Sequence, residues 1–145
     1  MNLTKFRTTM FAGVVLMLAA CTQKGTNEMN SYPYGSWVLA EVVQDGKRHA
    51  LQGEMFTLVM SEEGQANGQV ACNRWHGAGT ATNDTLTVAN AASTRRRCHA
   101  EASWISTLEM RYLRLLNDGA TYVATDSQLT LTLSNNDQWL FAREQ

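Results

Sequence analysis

Apolar and polar residues alternate over most of this chain, and that two-residue period constrains the fold more than any other feature. From Gly35 on, Trp37, Leu39 and Glu41 fall on one face of an extended segment, and Val38, Ala40 and Val42 fall on the other. Asp45-Gly46 is a turn signal. Residues 55–60 make a second apolar strand, ended by Ser61-Glu62-Glu63-Gly64. Ala66, Gly68, Val70 and Cys72 alternate along a third. Residues 80–82 and 85–88 flank Asn83-Asp84, which reads as a tight hairpin. Strands over 122–125, 128–134 and 138–142 follow, separated by Asp126-Ser127 and Asn135-Asn136-Asp137.

One segment breaks this rhythm. Over residues 100–117, Ile105, Leu108, Tyr112 and Leu115 recur at helical spacing, and Trp104, Leu113 and Leu116 widen the stripe. Glu101 falls in the first turn, where an acid favours the helix dipole, and Gly119 stands where a C-terminal glycine cap belongs. The pattern predicts an antiparallel meander of seven or eight strands with one inserted helix. A single helix cannot cover both faces of so many strands, so the sheet is expected to curl into a barrel, which also removes its exposed edges. Gly68, Gly77 and Gly79 are expected at bends or bulges, and the four tryptophans mostly in the core, with Trp75 the one to test for exposure.

The first twenty residues do not share the pattern. Lys5 and Arg7 precede an unbroken run of apolar and small residues over 10–20, too short to span a bilayer. The run ends in Leu18-Ala19-Ala20-Cys21, similar to the lipobox of bacterial lipoproteins. That resemblance implies cleavage before Cys21 and acylation of Cys21. Multiple chains, at about 0.8 kcal/mol per buried CH₂, anchor stably where one does not. Thr22, in place of aspartate, points by the same resemblance to the outer membrane of a Gram-negative bacterium, with the domain at its periplasmic face. The expected organisation is a signal peptide over 1–20, a lipidated cysteine and polar tether over 21–34, and a domain over 35–145. Loss of Lys5 and Arg7 shifts the formal charge of the mature chain from −1 to −3. A hydrophobic content of 44% with 17% charged residues excludes a disordered chain, and the charge excludes a basic nucleic-acid binder.

With Cys21 taken by lipid, Cys72 and Cys98 remain, an even pair in an oxidising compartment. A disulfide between them is the leading expectation. A zinc site from Cys72, His76, Cys98 and His99 is the rival, although adjacent ligands at 98 and 99 are awkward. A Cys–His nucleophile is the third reading and requires a free thiolate.

Two blocks around these cysteines carry a family resemblance. Val70-Ala71-Cys72-Asn73-Arg74-Trp75-His76-Gly77 resembles the GCNRFSG block of the META domain of HslJ-like bacterial lipoproteins. Thr94-Arg95-Arg96-Arg97-Cys98 resembles its second block, Thr-Arg-x-x-Cys. Gly35-Ser36-Trp37 and Gln128-Leu129-Thr130-Leu131 also fit. The resemblance implies a small, partly open antiparallel barrel of lipocalin-like topology with one helix, a Cys72–Cys98 disulfide, a link to stress response, and no established catalytic activity. The chain departs from the blocks at His76, Arg96 and Arg97.

The candidate sites follow. Arg74, Arg95, Arg96 and Arg97 are candidates for binding an anionic partner, such as lipid phosphates or an acidic protein face. The plainer reading is solvated charge paired with nearby acids. If 95–97 is a strand, Arg95 and Arg97 share a face and Arg96 takes the other. Asn73, Trp75 and His76 are candidates for surface recognition, with Asn73 and Arg74 expected in a bend. No catalytic residue, metal site or cofactor is expected: G-x-S-x-G, H-E-x-x-H and a phosphate-binding glycine loop are all missing. The expected function is a non-enzymatic, monomeric envelope lipoprotein that binds or stabilises a partner. The alternatives are a carrier holding an apolar segment in its barrel, or a hydrolase using scattered His and Asp residues.

Overall fold

The computed structural model describes residues 32–98 and 103–145. The signal segment, Cys21, nearly all of the tether, His99 and Glu101 lie outside the described residues.

Among the described residues, nine strands and one helix occur in the order β1 (Gly35–Gln44), β2 (Lys47–Ala50), β3 (Thr57–Met60), β4 (Gln65–Val70), β5 (Asn73–Ala81), β6 (Thr85–Ser93), α1 (Ser103–Asp118), β7 (Ala120–Ala124), β8 (Gln128–Thr132) and β9 (Gln138–Arg143). All pairings are antiparallel, and apart from β2 each strand neighbours the next around the sheet. β1 returns to pair with β9 from Trp37↔Arg143 to Val43↔Gln138. That ladder closes an eight-stranded barrel, where the family resemblance implied a partly open one. The β3–β4 and β6–β7 ladders are short, with two register pairs each. β2 lies outside the ring as a hairpin partner of Glu41–Gln44 on β1.

The alternation holds, with informative exceptions. Trp37 and Leu39 point inward as their spacing requires, but Val42 is buried with them rather than opposite. A register shift between Leu39 and Glu41 inserts one residue and turns Val42 to the core face. β5 extends from Asn73, far beyond the 80–82 stretch visible in the sequence, because His76 to Ala81 are small or polar and carry no alternation signal. A second register shift, between His76 and Ala78, brackets Gly77. At Gly68 the reason for glycine is close approach. A Cβ there would collide with the carbonyl oxygen of Thr57 and come within 2.9 Å of the Trp75 indole nitrogen.

α1 buries Ile105, Leu108, Tyr112, Leu115 and Leu116, the stripe read from the spacing. It ends at Gly119, whose φ of +83° suits glycine and whose N–H donates to the Leu115 carbonyl at 2.9 Å. Tyr112 carries the helix into the barrel. Its ring lies 5.5–6.4 Å from those of Phe56, Trp75, Trp139 and Phe141, and its hydroxyl donates to Thr57 O at 2.8 Å. Burial pushes the Tyr112 hydroxyl well above the usual tyrosine pKa. Trp37, Trp75 and Trp139 complete the filling of the interior. Trp104 is the tryptophan left outside, at 44% exposure.

The registers give the barrel two distinct ends. At one, where the tether enters β1, lie Tyr34, the 61–64 and 82–84 turns, the 125–127 turn and the C-terminus. At the other lie the Ala71-Cys72 turn, the 94–98 segment, the β1–β2 and β8–β9 turns, and α1.

Candidate functional site at the disulfide end

Cys72 and Cys98 form a disulfide, with Cα atoms 5.5 Å apart. Neither sulfur is then a thiolate, which removes both the zinc and the Cys–His nucleophile readings. Among the described residues no group of three His, Cys, Asp or Glu side chains could hold a metal ion.

The turn before the disulfide falls on Ala71-Cys72, between the paired residues Val70 and Asn73. Ala71 takes a φ of +50°, at the position where the family block begins with glycine. Asn73 therefore opens β5 rather than lying in the bend, and its side chain points inward with 2% exposure. Its Oδ1 accepts from the Arg96 N–H at 2.7 Å and from Thr94 Oγ1 at 2.8 Å. Its Nδ2 donates to the Arg96 carbonyl at 3.1 Å and to Glu109 Oε1 at 2.9 Å. One buried amide thus joins β5, the 94–98 segment and α1, with all four of its bonding positions in use. Two hydrogen bonds between Arg74 and Thr94 continue the join: Thr94 N–H donates to Arg74 O at 2.9 Å, and Arg74 N–H to the side-chain Thr94 Oγ1 at 3.1 Å.

This staple holds residues 94–98 without any strand. The alternation expected for Arg95 to Arg97 does not apply, because residues 94–98 form no strand and the backbone of Arg96 bonds the Asn73 side chain instead. Arg74, Arg95, Arg96 and Arg97 are all exposed. Arg96 Nη2 donates to the Cys72 carbonyl at 2.7 Å. The ion pairs among the described residues are Arg48–Glu41 and Arg111–Asp137, and neither involves these four arginines. Among the described residues these arginines are solvated rather than paired with an acid; Glu101, the acid nearest in sequence to Arg97, lies outside the described residues.

The three candidates for surface recognition separate. Asn73 is the structural hub just described. Trp75 is 2% exposed, donates its indole N–H to Thr57 O at 3.2 Å and packs edge-on against Tyr112. Neither can meet a partner, because period two places 73 and 75 on the core face. His76, on the opposite face, is exposed. Cys21 lies outside the described residues.

The sequence model described as META domain matches residues 30–145. No curated protein matches the chain significantly. Solved structures with the same fold do. An NMR structure of a protein from Burkholderia xenovorans is 27% identical, with a TM-score of 0.61, over 76% of this chain and 81% of that one. A second NMR structure is 24% identical, with a TM-score of 0.59, over 76% of this chain and 89% of its own. A crystal structure of an uncharacterized protein from Bacteroides eggerthii is 14% identical, with a TM-score of 0.50, over 77% and 98%. These likenesses support the barrel and carry no sign of enzymatic activity.

Proposed function

The chain belongs to the META domain family, and from that premise we propose that it is a non-enzymatic, lipid-anchored envelope protein that docks on an acidic partner through Arg74, Arg95, Arg96 and Arg97. The observation that carries this reading is four exposed arginines, Arg74 on β5 and Arg95 to Arg97 on the neighbouring segment stapled by a disulfide and a buried asparagine, with no acid paired to them among the described residues. Arginine side chains on a held backbone lose less freedom on binding, and each offers a planar fork of donors to carboxylates. The rest of the molecule fits a scaffold rather than a container. Tyr112 and the three buried tryptophans fill the barrel, so a lipid chain or a partner helix has no interior to enter.

The anchor at Cys21 rests on the lipobox residues and their resemblance. It bears on direction. The tether joins the barrel at Tyr34, and the arginines sit at the other end of the barrel. A domain held upright by its tether presents the arginines away from its own membrane, toward a protein of the envelope rather than the lipid phosphates beneath it. The link to stress response comes from the resemblance alone.

Photo-crosslinking in the intact envelope tests the reading. A crosslinker at Arg97 is expected to capture a discrete protein, and Arg95→Glu with Arg74→Glu should abolish the adduct. A crosslinker at Ser127, at the tether end, should not give it. Equal capture from both positions, or adducts to lipid alone, would overturn the acidic-protein assignment. Cys21→Ala should move the protein to the soluble periplasmic fraction, and retention on the membrane would refute the anchor.

A further inference from the structure

A hollow of about 600 Å³ opens between α1 and the β1–β2 hairpin. It lies at the same end of the barrel as the arginine segment, which Asn73 joins to α1 through Glu109, but none of the four arginines lines it. Its volume lies within the roughly 300–1,000 Å³ of small-ligand sites. Val42 and Leu108, both buried, give it an apolar floor. The exposed Trp104 ring and the His49 ring form a wall, with centroids 6.4 Å apart and planes inclined by 34°. Gln44 and Arg111 supply a polar edge.

The charge on that edge is already balanced. Arg111 Nη2 meets the buried carboxylate of Asp137 at 2.9 Å, and Arg111 Nη1 donates to Gln44 Oε1. Asp137 is itself held by the Asp45 N–H at 3.2 Å and by Asn135 Nδ2 at 2.9 Å. Arg111 is therefore a fixed, neutralised group rather than an anion trap, and the Gln44 carbonyl oxygen is occupied, which leaves its amide NH₂ to donate. A purely apolar ligand would desolvate Gln44 and His49 without bonding them. An anion would find no surplus positive charge. A ligand with one apolar face and a rim of hydroxyls or amides satisfies both sides: its C–H face covers the indole and its rim bonds Gln44 and His49.

The geometry points to an uncharged saccharide, one or two pyranose rings long, as the ligand of this groove, with Trp104 as the stacking platform and Gln44 as a donor to the ring substituents. The site uses none of the four exposed arginines.

Four tryptophan indole N–H signals in the isotope-labelled protein provide the test. Titration with two uncharged disaccharides, chitobiose and maltose, should shift the Trp104 signal saturably with at least one of them, and leave those of Trp37, Trp75 and Trp139 in place. Trp104→Ala should weaken binding at least tenfold, and Trp104→Phe, which keeps a ring, should weaken it less. Arg95→Glu with Arg97→Glu should leave it unchanged, so failure of the arginine reading and failure of this one are separable. No shift of Trp104 with either sugar would overturn the proposal. So would a shift produced only by a sulfated sugar or only by a fatty acid, or binding that survives Trp104→Ala.

Discussion

Arg143 at the tether end and Arg95 and Arg97 at the disulfide end are used in opposite ways. At the tether end, Arg143 lies 4.2 Å over the Trp37 ring, donates from Nε to the Asp126 carbonyl at 2.6 Å, and reaches the Tyr34 carbonyl at 3.4 Å. It ties the segment entering β1, the end of β9 and the 125–127 turn together. At the disulfide end, Arg95 and Arg97 are exposed and take part in no ion pair among the described residues. Rigidity there comes from elsewhere: a covalent bond, the Asn73 amide and the inserted Tyr112. The difference teaches that an arginine's role follows from what else holds its segment. Where other groups hold the backbone, as at Arg95 and Arg97, the guanidinium is left exposed to solvent.

Substitutions can break this contrast. The largest effect is expected from the disulfide. Closing a loop with 26 residues of separation is worth about 3.5 kcal/mol in the chain-entropy account. Cys72→Ser and Cys98→Ser should each lower stability by that order in urea unfolding, and the double variant should add little. Additive losses would show that the two sulfurs act separately.

Asn73→Ala comes next, at about 3 kcal/mol, since it leaves the buried Arg96 N–H contact and the Glu109 carboxylate without their partner. If the amide is what holds residues 94–98, hydrogen exchange at Arg96 should rise in this variant more than exchange in β8. Uniform loosening would make Asn73 an ordinary core residue.

Tyr112→Phe should cost about 1 kcal/mol at neutral pH, the bond to Thr57 O. Its pH dependence is more telling. Burial raises the folded-state pKa of Tyr112, so above pH about 10 the unfolded chain ionises while the folded one does not, and stability falls as pH rises. The phenylalanine variant lacks this contribution, so the gap between the two proteins should narrow above pH 10. A constant gap would mean that the hydroxyl is not shielded as the fold requires.

The smallest effects compare the arginines directly. Arg143→Ala should lower stability by about 1 kcal/mol through the lost ring and carbonyl contacts. Arg97→Ala should change it by less than about 0.5 kcal/mol. Equal losses in thermal unfolding would erase the distinction between structural and free arginines.

Much of the architecture is local and so was readable in advance. The spacing of Ile105, Leu108, Tyr112 and Leu115 defines the buried stripe of α1 by itself, because helical geometry sets which side chains share a face. The same holds for Leu129 and Leu131 on β8, and for Gly119 as the helix cap. Cys72 and Cys98 form the disulfide that led the three readings of the pair. Residue type misled where burial depended on register. Asn73 looked like a turn residue and Trp75 like a surface candidate, but both face inward because β5 begins one residue after the disulfide cysteine. Val42 changed faces at an inserted residue that no alternation pattern reveals.

What the sequence determined by itself, then, is the set of elements and the apolar face of most of them, since periodicity is a property of neighbours along the chain. What only the tertiary structure decided is which distant groups meet. Barrel closure places Asn73 against Arg96 and Glu109, Arg111 against Asp137, and Trp104 beside His49. Those meetings depend on strand registers and on the crossing of α1 over the barrel end, and they settle which arginines are spent on structure and which remain free.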